Sequence, residues 1–117
     1  QTLSVDQLIE RFRLIASAQY DALWTFQTAR YNRLYTQMDD VLNELKSRDG
    51  DQRRSLIPLL ESDNVQVRLT AATALLVIVP DLARSVLENI RDDGQMPQAA
   101  DAAGLLRALD NGSFVPT

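Results

Sequence analysis

An internal repeat of about 30 residues constrains the fold of this chain more than any other feature of its sequence. When the chain is shifted by 30 positions, residues 54–57 (Arg-Ser-Leu-Ile) align with residues 84–87 (Arg-Ser-Val-Leu). A period of this length is typical of helical hairpins that stack in tandem, because one short hairpin cannot bury its apolar face alone. The repeat predicts two stacked hairpins over residues 49–80 and 81–112, followed by a tail over 113–117.

The N-terminal part of the chain shows helical periodicity without the repeat. Ser4 and Gln7 have the spacing of a capping box, which predicts a first helix over residues 5–24. Apolar residues then recur in steps of three and four, which predicts a second helix over 28–47. Since the residues between them include no Gly or Pro, one continuous helix remains an alternative. We expect residues 1–48 to form a hairpin that caps the repeats.

The two repeats divide into four further helices. We predict a third helix over 52–61, kinked at the internal Pro58 because proline lacks the N–H that an α-helix needs. The fourth helix, over 65–79, has little polar face, which is typical of a buried helix. Helices over 81–91 and 97–109 complete the prediction. The expected fold is therefore all-α, a six-helix α-α superhelix in a single domain.

Composition excludes several functional classes. The sequence contains no cysteine and no histidine, which excludes disulfides, zinc sites built on those residues and Ser-His-Asp triads. A formal charge of −4 disfavours binding by phosphate neutralisation, so we expect no nucleic-acid partner. No apolar stretch approaches the roughly 20 residues of a membrane span. Without a recognisable secretory signal, we expect a cytoplasmic protein with no membrane association, metal or cofactor.

The first repeat resembles a known type of helical repeat. Residues 59–68 (Leu-Leu-Glu-Ser-Asp-Asn-Val-Gln-Val-Arg), followed by Ala71, Ala72 and Leu75, are similar to the second helix of a HEAT repeat. The second repeat departs from this pattern, as terminal repeats often do. The resemblance covers about residues 52–110. It implies a HEAT-like stack with a concave and a convex face, and it implies no particular activity.

The whole chain also resembles a small family of uncharacterised bacterial proteins known only as a domain of unknown function. That resemblance implies a HEAT-like fold and supplies no activity. The matching stretches are Tyr-Asn-Arg-Leu at 31–34, Gly-Asp-Gln-Arg-Arg at 50–54, Val-Arg-Leu at 67–69 with Ala71 and Ala72, and Pro-Gln-Ala at 97–99 with Asp101 and Ala102.

Two groups of side chains are candidates for binding a partner. The polar group lies at helix starts that stacking is expected to bring to similar heights, and it consists of Asn32, Arg33, Arg53, Arg54 and Arg68. It either binds an anion or acidic peptide or ties the repeats together. The aromatic group lies around the first turn and consists of Tyr20, Trp24, Phe26 and Tyr31. It is either a binding hot spot or part of the hairpin core. The residues predicted to contact a partner are Trp24, Asn32, Arg33, Arg53, Arg54 and Gln98.

Arg68 is predicted to have a structural role. The repeat offset places it level with Gln98, and Asp101 follows close to one helical turn later on the second helix of the next repeat. Helices that pack about 8–10 Å apart are within reach of an arginine side chain. We therefore predict an ion pair between Arg68 and Asp101. The alternative is that Arg68 lies free in a concave pocket and binds a ligand.

The carboxylates give little indication of catalysis. The adjacent pairs at 39–40 and 92–93 point about 100° apart on a helix, so neither pair converges on one substrate atom. The sequence favours a non-enzymatic protein–protein interaction module, either a monomer or a weak homodimer. One alternative is an immunity-type inhibitor of a basic toxin or enzyme. The other is an enzyme that uses only carboxylates and arginines.

Overall fold

Five α-helices and one 3₁₀ helix make up the computed structural model, which describes residues 2–117. No strand occurs in this range, and the predicted all-α class is confirmed. Residue 1, part of the predicted N-terminal hairpin, lies outside the described residues. The helices are α1 (Val5–Trp24), α2 (Thr28–Ser47), the 3₁₀ helix (Gln52–Glu61), α3 (Val65–Leu75), α4 (Pro80–Asp93) and α5 (Gln98–Asn111).

The N-terminal hairpin forms with the predicted helix boundaries. The Ser4 hydroxyl accepts a hydrogen bond from the Gln7 amide, while the Gln7 side chain accepts one from the Ser4 amide, so the capping box is complete. The alternative of one continuous helix is wrong. The chain leaves helical geometry after Trp24, and Phe26 adopts a left-handed backbone conformation.

The third helix has the predicted boundaries, but the prediction of a kinked α-helix is wrong because the segment winds as a 3₁₀ helix. In α geometry the ring of Pro58 would clash with the carbonyl of Arg54, four residues earlier. Tighter 3₁₀ winding avoids that register, although ten residues is long for this helix type. Asp51 begins the helix by accepting a hydrogen bond from the Arg53 amide.

Helix α3 is shorter than predicted. It ends at Leu75, and a turn over residues 76–79 leads to Pro80, which begins α4. Proline disfavours α geometry in the residue before it, which explains why the helix cannot run directly up to Pro80. The ends of α4 and α5 differ from the predicted ends by two residues each, and left-handed Gly94 and Gly112 cap them.

Helix α3 lies at the centre of the packing. It contacts the 3₁₀ helix, α4, α1 and α5, and Ala71, Ala72 and Leu75 are fully buried within it. Three pairs of sequential helices form around this centre: α1 with α2, the 3₁₀ helix with α3, and α4 with α5. The order of the pairs brings the end of α1 close to the turn between α4 and α5. Within residues 2–117, no helix is both long enough and apolar enough to span a membrane.

Candidate interaction site

An exposed pocket of about 450 Å³ lies where the end of α1 meets the turn between α4 and α5. We call it the aromatic pocket. Its walls are apolar except for one glutamine, and none of its side chains is charged. The lining residues are Leu23, Trp24, Phe26, Met96, Pro97 and Gln98.

The turn between α1 and α2 presents Phe26 to solvent in an unfavourable backbone conformation. Phe26 has a φ of 55° and is 91% exposed. A left-handed conformation costs a side chain with a Cβ roughly 1–2 kcal/mol, which is why glycine usually occupies such positions. Backbone hydrogen bonds hold the turn in place: the Gln27 amide donates to the Ala22 carbonyl at 2.9 Å. The backbone strain therefore falls on Phe26, whose side chain contributes little to the hydrophobic core.

Trp24 lies beside Phe26 and is 64% exposed. Its ring packs edge-to-face against Tyr20, with centroids 6.2 Å apart. The Tyr20 hydroxyl accepts a hydrogen bond from the Gln95 side chain at 3.0 Å, which connects α1 to the turn before α5. These contacts orient the indole without burying it. For Trp24 and Phe26, the exposure excludes the interpretation as hairpin core.

Three buried glutamines form a hydrogen-bonded series, the glutamine ladder, from α1 through α3 to the aromatic pocket. Gln98 Nε2 donates to Gln66 Oε1 at 3.0 Å, and Gln66 Nε2 donates to Gln19 Oε1 at 3.5 Å. Gln98 is only 1% exposed. Its Oε1 is the one buried side-chain oxygen or nitrogen within residues 2–117 that has no hydrogen-bond partner.

Of the three glutamines in this ladder, only Gln98 was among the residues predicted from the sequence to contact a partner. The signal for the other two was present, because Gln19 and Gln66 stand at positions where the helical pattern is otherwise apolar. A buried amide at such a position requires a hydrogen-bond partner. Which amides would meet, however, depends on packing between segments 47 and 32 residues apart.

A second concavity, of about 410 Å³, lies between α2, α3, α5 and the C-terminal tail. We call it the acidic groove. Asp101 is partly desolvated there, and this burial raises the pKa of its carboxyl group. Burial, with further contributions from Asp101 and Tyr35, also raises the pKa of Tyr31. The polar and aromatic residues that line it include Gln19, Tyr31, Tyr35, Asp39, Arg53, Gln66, Thr70, Thr73 and Asp101.

Arg53 is the one arginine in this groove, and it is already paired. Its Nε and Nη2 donate to the two carboxylate oxygens of Asp51 at 2.8 and 2.6 Å. The hydrogen bonds from Arg53 hold the pKa of Asp51 below its usual value. Arg53 Nη2 also approaches the Thr117 carbonyl at 3.4 Å. The predicted partner-binding role of Arg53 therefore competes with its role in fixing the tail.

The predicted polar cluster does not form. Asn32, Arg33 and Arg54 are exposed and line neither the aromatic pocket nor the acidic groove, whereas Arg53 is buried under the tail. Arg68 lies elsewhere, in a separate pocket between the 3₁₀ helix and α4. Of the residues predicted to contact a partner, the structure brings only Trp24 and Gln98 together.

The predicted ion pair between Arg68 and Asp101 is wrong. Arg68 Nη1 donates to the Ser62 carbonyl at 2.7 Å, and neither residue belongs to any ion pair formed within residues 2–117. Ser62 is the C-cap of the 3₁₀ helix, where carbonyls lack intrahelical partners and accept readily from a nearby cation. Arg68 therefore binds within its own helical pair.

Residues 2–117 contain no group of three or more aspartates or glutamates placed to hold a metal ion. The arrangement can instead bind by burying apolar surface in the aromatic pocket, or by offering carboxylates in the acidic groove.

These features define an all-helical domain with an exposed aromatic pocket, and the comparisons with known proteins give its family. The chain belongs to the family described as domain of unknown function DUF2019, whose model matches residues 6–110. It is similar to the crystal structure of protein RPA1889 from Rhodopseudomonas palustris CGA009, with 42% sequence identity and a TM-score of 0.97. That match covers 99% of this chain and 96% of the other. No curated protein is significantly similar to the chain.

Proposed function

We propose that this protein is a non-enzymatic interaction module that binds a protein partner through the aromatic pocket. The observation that carries the proposal is the exposure of Trp24 and Phe26 on a turn whose backbone is unfavourable for Phe26. In this proposal the stacked helical pairs are HEAT-like repeats that provide a rigid support. The protein acts in the cytoplasm, as a monomer or a weak homodimer.

The energetics of the two aromatic side chains support this proposal. Phe and Trp each bury about 150–250 Å² when they pack, and they are enriched among the residues that dominate binding energy at interfaces. In the free protein most of that surface faces water. A partner that covers it gains the burial, and the hydrogen-bonded turn presents the rings with little further loss of conformational entropy.

A second candidate function is inhibition of a basic partner through the acidic groove. Asp39 and Asp101 line this groove, and neither takes part in an ion pair within the described residues. Tyr31 and Tyr35, on α2, also line the groove, and aromatic rings attract cations. The formal charge of −4 favours association with a basic surface.

The proposed function is tested by capture of a partner followed by measurement with the purified partner. The wild-type chain, the double variant Trp24→Ser/Phe26→Ser and the control Leu14→Ser are used to capture proteins from a lysate of the host. Leu14 is a matched control because it is 54% exposed on α1 and lies outside the aromatic pocket. A captured protein is identified by mass spectrometry, purified and titrated by isothermal calorimetry.

We expect the purified partner to bind the wild type and Leu14→Ser with the same Kd. The pocket variant should bind at least about 30-fold more weakly, since a hot-spot residue contributes about 2 kcal/mol or more. An unchanged Kd for the pocket variant would contradict the proposal. If affinity instead falls on Asp39→Asn/Asp101→Asn and declines steeply with salt, the second candidate function replaces it.

A further inference from the structure

We infer that the aromatic pocket binds the indole ring of a tryptophan on the partner, with the indole N–H donating to Gln98 Oε1. This inference rests on the proposed function and names the chemistry of the partner at the same site. Its basis is a buried acceptor without a partner in the wall of an exposed apolar pocket.

The orientation of the glutamine ladder makes the available atom an acceptor. The Thr70 hydroxyl donates its single proton to the Gln66 backbone carbonyl at 2.8 Å, so it can only accept from the Gln66 side chain. Gln66 Nε2 therefore faces Thr70 and Gln19, and Gln66 Oε1 faces Gln98. Gln98 therefore donates through Nε2 to Gln66 Oε1, and its own Oε1 lies on the side away from Gln66.

The remaining chemistry of the pocket favours a neutral ligand with one donor. None of the lining side chains is charged, so a cation or an anion would lose its hydration without gaining a counter-ion. Indole is a donor only, whereas a tyrosine hydroxyl also brings an acceptor and a phenylalanine brings no polar group. One unused acceptor is therefore matched by one N–H.

The shape and composition of the walls suit a bicyclic aromatic ring. A pocket of about 450 Å³ has room for an indole, and Trp24 and Phe26 offer rings for offset or edge-to-face packing. Met96 is 61% exposed, and its flexible thioether makes favourable contacts with aromatic rings. Because Gln98 Oε1 is covered in the free protein, binding requires a side-chain movement at the pocket wall that uncovers this oxygen when the ligand enters.

The test compares two small probes on the wild-type protein. N-acetyl-tryptophan amide and its 1-methyl-indole derivative are titrated separately and followed by ¹H–¹⁵N NMR. We expect the first probe to shift amide signals over residues 23–27 and at Met96 and Gln98. The 1-methyl probe lacks the donor and should bind at least about fivefold more weakly, the equivalent of one neutral hydrogen bond of roughly 1 kcal/mol.

A variant pair assigns the difference to the amide oxygen. In Gln98→Met the two probes should bind equally, because the acceptor is gone while the side-chain length is kept. In the control Gln37→Met, which changes an exposed glutamine of α2 outside the pocket, the fivefold preference should persist. Thermal melts verify that each variant is folded, and the wild-type comparison does not depend on them.

Two results would overturn the inference. The first is equal binding of the two probes to the wild type. The second is the absence of shifts at the pocket up to the solubility limit. If the inference fails but Trp24→Ser/Phe26→Ser no longer binds the purified partner, the proposed function is retained. If that variant binds the partner as tightly as the wild type, the proposed function is wrong, whatever the result with the two probes.

Discussion

Helix α3 and the turn between α1 and α2 use large apolar residues in opposite ways. Helix α3 buries them on nearly every side, with Val67 and Leu75 fully inaccessible. The turn exposes Trp24 and Phe26 instead, although both are as apolar as the residues of the core. Apolar side chains stabilise the fold in the first region, whereas in the second most of their surface remains in contact with water and contributes little to the stability of the fold.

A neighbouring turn shows that the cost is avoidable. Gly94, between α4 and α5, has a φ of 78°, close to the left-handed geometry of Phe26. There the chain uses glycine, the residue that tolerates this geometry without strain. Both turns frame the same pocket, since Phe26 and Met96 line it together. Under the proposed function, the exposed surface of the Phe26 side chain accounts for a phenylalanine at a position where glycine would avoid the backbone strain.

The largest expected effect is a loss of stability when the buried core of helix α3 is truncated. Leu75→Ala should lower the free energy of unfolding by about 2–5 kcal/mol, because the truncation leaves a cavity at the centre of the core. Trp24→Ser should lower it by less than about 1 kcal/mol, since most of the indole is exposed. Chemical denaturation measures both. Equal losses would mean that the two regions do not differ as described.

The next effect concerns the ladder that joins α3 to the aromatic pocket. Gln66→Leu should cost about 1–3 kcal/mol, because it strands Gln98 Nε2 and Gln19 Oε1 in the interior. Gln98→Leu strands only Gln66 Oε1 and also removes an acceptor that has no partner, so it should cost less than about 1 kcal/mol. Urea denaturation of the two variants gives the order. The reverse order would show that Gln66 is not the central member of the ladder.

Substitutions at Phe26 and Gly94 should change the free energy of unfolding by smaller amounts and in opposite directions. Phe26→Gly should raise the free energy of unfolding by about 0.5–1 kcal/mol, since relief of strain exceeds the entropy that glycine gains on unfolding. Gly94→Ala should lower it by about 1 kcal/mol, purely through conformation, because an added Cβ meets nothing within 4 Å. Thermal melts measure both variants.

The same two variants separate stability from binding. Phe26→Gly is expected to stabilise the protein and to lower its affinity for the purified partner. A merely structural role of Phe26 cannot produce this combination. Loss of stability on Phe26→Gly would show that the side chain supports the fold.

The smallest expected effect depends on pH. The pKa of Asp101 is raised in the folded protein, so its ionisation destabilises the fold at neutral pH and does nothing below the pKa values of both states. Asp101→Asn should therefore raise the Tm by about 1–2 °C at pH 7, and the gain should vanish on acidification. The measurement is a series of thermal melts from neutral to acidic pH.

Asp51 provides the control of opposite sign. Its pKa is lowered by the hydrogen bonds from Arg53, so its charge stabilises the fold at neutral pH and this contribution disappears as the pH falls through the folded pKa. Asp51→Asn should lower the Tm at pH 7 and match the wild type more closely in acid. The same direction of change for both variants would contradict the assigned environments.

Much of the secondary structure could be predicted because its signals are local. The capping box of Ser4 and Gln7 and the periodicity of the first two helices lie within a few turns of the chain, and their boundaries were predicted correctly. The 3₁₀ winding around Pro58 and the early end of α3 were not. Those outcomes depend on how competing local geometries fit the packed neighbours, which periodicity does not encode.

The candidate site could be predicted only in part. Trp24 and Gln98 were singled out from the sequence, but nothing in their spacing indicated that they line one pocket. The Arg68–Asp101 pair was predicted from an offset between repeats, which assumes that equivalent helices superpose closely. The real acceptor was a helix-end carbonyl in the same helical pair, and backbone carbonyls are invisible to an argument from side-chain types.

By itself, the sequence determined the all-α class and the capping box that begins the first helix, whereas the break between the first two helices was settled only by the structure. The sequence also determined the absence of cysteine and histidine chemistry. These properties follow from residue types and from spacings shorter than a few helical turns. Only the tertiary structure decided that Phe26 adopts a left-handed conformation, that Gln98 Oε1 lacks a partner and that Arg53 holds the tail. The physical reason is that exposure and hydrogen-bond pairing are properties of contacts between segments, and the segments of the glutamine ladder meet only after the whole chain has packed.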